Sequence, residues 1–85
     1  MKEITFTVTD PLGIHARPAG ILVKEAKKFS SKITVFKGEK SCDMRKLLQL
    51  MGLAVKQGDT INVQVEGDDE DACAAAIEAF LKEKF

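Results

Sequence analysis

Eighty-five residues suffice for one domain and not two, and a chain this short buries only about two thirds of its unfolded surface, so it needs a regular fold. At 45% apolar and 31% charged residues, the composition is that of a soluble globular protein and excludes a disordered one. Thirteen basic residues balance thirteen acidic ones, which directs the chain to neither nucleic acid nor membrane insertion.

The balance is uneven along the chain. Residues 66–71 read Glu-Gly-Asp-Asp-Glu-Asp, while Lys24, Lys27, Lys28, Lys32, Lys37, Lys40, Arg45 and Lys46 make the middle basic. A basic middle suits an acidic protein partner or a phosphate. Cys42 and Cys73 match no metal spacing, and Cys73 reads as packing. No signal-like apolar run follows Met1, and no stretch nears the roughly 20 apolar residues of a membrane span. A reduced, cytoplasmic protein without metal or cofactor is the plain expectation.

Residues 3–9 set Ile4, Phe6 and Val8 on one face and Thr5, Thr7 and Thr9 on the other, which predicts a half-buried strand. Asp10-Pro11-Leu12-Gly13 breaks it. From about Ala16 to Phe29 the period becomes helical: Ala19, Leu22, Val23, Ala26 and Phe29 share a stripe, with Lys24, Lys27 and Lys28 facing away. Pro18 fits only the opening turn, where its missing N–H would have no partner, so His15 falls at or just outside the helix start. Ile33–Phe36 alternates as a second strand, and Lys37-Gly38-Glu39 turns into a third near Lys40–Asp43, paired as a hairpin.

Residues 44–55 read as a short helix, weakened or ended by Gly52, because Leu and Met favour helix over strand. Only some of Leu47, Leu48, Leu50, Met51 and Leu53 can face the core from one short helix. The others would form an exposed apolar patch, which often marks a docking surface; that all are simply core is the alternative, and the residues alone leave both open. Gln57-Gly58-Asp59 turns into a clean fourth strand with Ile61, Val63 and Val65 inward. Gly67-Asp68-Asp69 ends that strand and supplies an N-cap for a last helix with Cys73, Ala76, Ile77, Phe80 and Leu81 buried. The order strand, helix, strand, strand, helix, strand, helix is satisfied most economically by one sheet with helices on one face.

The chemistry centres on Gly13-Ile14-His15-Ala16-Arg17-Pro18-Ala19, which holds the only histidine. A helix N-terminus gathers unpaired N–H groups and partial positive charge and therefore attracts anions. Imidazole, with an ordinary pKa of about 6.5, is substantially neutral and nucleophilic near pH 7, and that positive potential favours the neutral ring. Once phosphorylated, the ring would carry its anion over those same donors. Arg17 can grip phosphate oxygens, provided His15 lies outside the first turn, since side chains two apart on a helix do not face each other. A solitary histidine is also compatible with an inert surface or core role. No carboxylate or second histidine is nearby in sequence, so hydrolytic triads and metal sites lack their parts.

The segment Gly-Ile-His-Ala-Arg-Pro-Ala at 13–19 resembles the active-site signature of the HPr family, the histidine-containing phosphocarriers of the phosphoenolpyruvate:sugar phosphotransferase system. The likeness extends to Lys40-Ser41, the leucine-rich run 47–53, Gly58 and the acidic start of the last helix. It implies an α+β fold, an open-faced β-sandwich with a four-stranded antiparallel sheet covered on one face by three helices (βαββαβα). It further implies a carrier, not an enzyme with turnover of its own, that is monomeric and spans residues 1–85. His15 would accept phosphate on Nδ1 from Enzyme I and donate it to a sugar-specific IIA domain. Arg17 would assist, and the amides of Ala16 and Arg17 would hold the phosphate. Leu47, Leu48 and Met51 would form the apolar docking surface, rimmed by Arg45, Lys46 and Gln49.

One position departs from the family. Where many members carry a regulatory serine at the start of the second helix, this chain has Lys46, which cannot accept that phosphate and is a poorer N-cap; Asp43 could start the helix earlier. Two other functions fit the resemblance less directly: a nitrogen-signalling carrier, and a regulatory relative that binds without carrying phosphate. Regulatory relatives tend to lack the histidine and keep the serine, the reverse of this chain. An RNA- or metabolite-binding module is poorly supported by five Phe with no Trp or Tyr.

Overall fold

Alternation decides the strands. In the computed structural model, which describes residues 1–85, the chain runs β1 (Lys2–Thr7), α1 (Ala16–Ala26), β2 (Lys32–Lys37), β3 (Lys40–Asp43), α2 (Leu47–Gly52), β4 (Thr60–Glu66) and α3 (Glu70–Lys84). The four strands form one antiparallel sheet in the order β1-β4-β2-β3. This is the βαββαβα arrangement expected from the sequence.

Register shows why the sheet has one wet and one dry side. Ile4 pairs with Val63, Val63 with Val35 and Val35 with Cys42, so a buried row crosses all four strands. The neighbouring row, Thr5–Asn62–Phe36–Ser41, points the other way, where no helix covers it. The helices close the dry side: Leu22, Leu50, Ile77 and Leu81 are essentially fully buried in one core cluster of 22 residues. Each such side chain is worth about 1.5–3 kcal/mol of burial.

The helices depart from expectation at their ends. α1 stops at Ala26 rather than Phe29, because Lys28 N–H and Phe29 N–H bond three residues back, to Glu25 O and Ala26 O, and tighten the last turn. Phe29 still packs half-buried against the core. α2 is six residues, not the twelve of 44–55. Asp43 does not start it; its Oδ1 accepts Arg45 N–H (2.9 Å) and its backbone oxygen accepts Lys46 N–H (3.0 Å), which makes a separate turn. Met44, Leu53 and Val55 reach the core from outside the helix.

In α3, Ala74 is buried, whereas Ala76 and Phe80 are only half-buried. Asp69 stands at the N-cap position but does not cap. Its carboxylate instead takes Ser30 N–H (2.8 Å), Ser31 N–H (3.0 Å) and the Ser31 hydroxyl, tying the exit of α1 to the start of α3. These bonds, the Ser31 hydroxyl foremost, hold its carboxyl below the usual range. Gly67 packs so closely there that a Cβ would lie 2.7 Å from Ser31 Cα. Cys42 and Cys73 are free and buried; burial raises both thiols, Cys73 to about 11. No helix is long and apolar enough to cross a membrane.

Candidate functional site

His15 is the N-cap residue of α1, extended at φ −110° and ψ 166°, and its backbone oxygen accepts Ala19 N–H at 3.0 Å. Its side chain makes no capping bond. The amides of Ala16 and Arg17 open the helix and have no intrahelical acceptor, and Pro18 has no N–H. Two unpaired donors thus lie immediately after the imidazole, and both residues are exposed. The expectation that His15 lies outside the first turn holds. Its side chain is about one-third open to solvent, at 34%.

The ring does have a carboxylate beside it, contrary to the reading from sequence proximity. Asp10 Oδ2 lies 3.7 Å from His15 Nε2. The turn at 10–13 folds back on itself: Asp10 Oδ1 accepts Leu12 N–H (2.8 Å) and Asp10 O accepts Gly13 N–H (2.9 Å). That closure carries a residue five positions upstream alongside the imidazole. The Asp-Pro-x-Gly turn is the signal in the sequence for this approach. Nothing in the sequence marked Phe85, whose ring meets His15 edge-on at 6.3 Å and 84°. The backbone oxygen of Phe85 also accepts Thr9 N–H (2.7 Å), Asp10 N–H (2.9 Å) and the Thr9 hydroxyl (3.0 Å).

The arrangement distinguishes the two ring nitrogens. A carboxylate facing Nε2 favours the tautomer with its proton there, which leaves the lone pair on Nδ1. No group of acidic, cysteine and histidine side chains is placed to hold a metal.

Behind the ring, Ile14 N–H bonds Val55 O at 3.0 Å. Gly13, at φ +66°, lies so near residues 55–56 that a Cβ would meet Val55 O and come within 2.8 Å of Lys56 Cα. The loop bearing His15 is therefore seated on residues 55–56.

Of the expected docking residues, Leu48 is exposed (87%), Leu47 partly so (37%) and Met51 half-buried, while Leu50 and Leu53 belong to the core. The run is thus divided between the core and the surface, not wholly core. Lys46 and Gln49 are exposed; Arg45 is half-buried, its Nε 3.5 Å from Asp43 Oδ1. These residues are on or just before α2, which packs against α1. Lys37, counted in the basic middle, has its ammonium engaged by Leu53 O, Ala54 O and Asp59.

Comparison with known proteins agrees along the whole chain. The family described as "PTS HPr component phosphorylation site" matches residues 2–83. The phosphocarrier protein HPr of Lysinibacillus sphaericus is 49% identical over 83 residues, covering 98% of this chain and 94% of that relative. The solved structure of a mycoplasma histidine-containing phosphocarrier protein aligns with a TM-score of 0.93 at 38% identity, covering 96% of this chain and 93% of that one. HPr-C-His from Thermoanaerobacter tengcongensis gives 0.93 at 39%, with 100% and 96% covered. With this fold, this histidine and a family match from residue 2 to residue 83, the chain belongs to the HPr family of phosphocarrier proteins of the phosphotransferase system.

Proposed function

We propose that the chain, acting as a single 85-residue carrier domain in one copy, accepts a phosphoryl group on His15 Nδ1 from phospho-Enzyme I and donates it to a IIA domain during sugar uptake. The observation that carries this is a solvent-reachable imidazole at the N-cap of α1 with a carboxylate 3.7 Å from its Nε2. In the accepting step the donor's bond to phosphorus breaks as the Nδ1 lone pair forms a new one. The ring keeps its Nε2 proton and becomes positive, a charge that Asp10 offsets. The three oxygens of the transferred group would meet the amides of Ala16 and Arg17 and the Arg17 guanidinium. Passing the group on reverses the same bond changes with a different acceptor, so no net proton need enter or leave.

Leu47, Leu48 and Met51 supply the apolar contact for both protein partners, and Arg45, Lys46 and Gln49 its polar rim. An exposed leucine beside basic residues has the composition of such a contact. Incubation with phosphoenolpyruvate and catalytic Enzyme I should yield an acid-labile phosphate on the parent protein and none on His15→Ala. Equal labelling of the variant would end the carrier reading.

A further inference from the structure

Lys37 is the least expected residue of β2. Alternation turns Ile33, Val35 and Lys37 to the helix side of the sheet, where the first two are core. Its ammonium has three protons and meets three acceptors: Leu53 O at 3.1 Å, Ala54 O at 2.8 Å and Asp59 Oδ2 at 3.2 Å. The two carbonyls belong to the segment leaving α2, where the chain must reverse. There Ala54 adopts φ +52°, a left-handed conformation that a residue with a Cβ keeps only when its surroundings impose it. Asp59 secures the same segment from its other end, since Oδ2 also accepts Lys56 N–H at 2.8 Å.

The segment so held is the seat of the active loop. Val55 lies between the clamped Ala54 carbonyl and Lys56, and its oxygen receives Ile14 N–H, one residue before His15. Nothing else in the fold bonds to the Ala54 carbonyl. We propose that Lys37, with Asp59, is a positioning residue for phosphoryl transfer: it locks residues 53–56 in the one geometry that seats Gly13 and Ile14 and so aims His15. This rests on the carrier reading above, but one arm of its test does not.

The test compares Lys37→Met, which keeps the aliphatic stem, with Lys37→Arg and with Asp69→Asn, a variant at the opposite end of α3 from Phe85. Amide exchange at Ile14 is followed by NMR, and phosphorylation of His15 by limiting phospho-Enzyme I is timed. Lys37→Met should speed Ile14 exchange and slow phosphorylation, each by about fivefold or more, since small misplacements of reacting groups are costly. Lys37→Arg should recover part of both, and Asp69→Asn should leave both within about twofold of the parent at equal or greater loss of melting temperature. Unchanged Ile14 exchange in Lys37→Met overturns the proposal, as does faster exchange with undiminished transfer. Should Lys37→Met fail to fold, Asp59→Asn is read by the same criteria. A parent protein that Enzyme I does not phosphorylate would defeat the carrier reading alone, and the exchange arm would still judge the clamp.

Discussion

At the scale of single residues, the proposed transfer depends on which nitrogen of His15 is free. Asp10→Asn tests this cleanly, because asparagine can still accept Leu12 N–H and keep the 10–13 turn. The neutral ring should then show more of the Nδ1–H tautomer in its nitrogen chemical shifts. Phosphoryl acceptance should slow about fivefold, the rate equivalent of roughly 1 kcal/mol from one partly exposed charge. Arg17→Ala is expected to behave oppositely to a core change. Arg17 is exposed, so the melting temperature should move by less than about 4 °C, while transfer falls by about tenfold or more through loss of a charge-assisted contact; rapid-quench kinetics and calorimetry together check the split. The placement of His15, Ala16 and Arg17 at the start of α1 was legible in the sequence because Pro18 pins the helix start. Asp10 and Phe85 were not: one reaches the ring through a turn closure, the other from the far end of the chain.

At the scale of elements, periodicity located β1, β2, β4, α1 and α3, since alternation and the 3.6-residue stripe are direct images of burial, while α2 came from the helix preference of Leu and Met and β3 from the turn at 37–39. It misjudged where helices stop. Met44, Leu53 and Val55 are as apolar as helix-face residues but enter the core from turns, and no period separates the two cases. Lys37 was hidden for a related reason: a lysine near a hairpin reads as solvated until the acceptors at Leu53 and Ala54 are in place. α2 divides its leucines within six residues: Leu50 is in the core and Leu48 is in water. Leu48→Ser should leave stability within about 0.5 kcal/mol, because the side chain is largely in water. It should raise the KM of Enzyme I for this protein several-fold, the effect of about 1 kcal/mol at a contact. A chemical-denaturation midpoint beside steady-state kinetics distinguishes these outcomes.

At the scale of the molecule, three acidic groups bind distant segments together. Asp59 is lowered chiefly by Lys56 N–H and Lys37, Asp69 by Ser31, and Glu70 by the amino group of Met1, to which it lies at 2.8 Å. A carboxyl whose folded pKa is depressed adds stability above its unfolded pKa and loses it as pH falls through the folded value. The protein should therefore keep its urea midpoint from pH 7 to about pH 5 and lose stability steadily below about pH 4. A midpoint unchanged at pH 3 would show that these ties contribute nothing net.

The sheet order has a further result for how the protein comes into being. β1 is paired only with β4, Lys2 against Val65, and the turn that follows β1 is fastened to the backbone oxygen of residue 85. Residue 2 thus has to meet residue 65, and residues 9 and 10 have to meet residue 85, before the turn ahead of His15 is in place, and contacts so distant in sequence are slow to form.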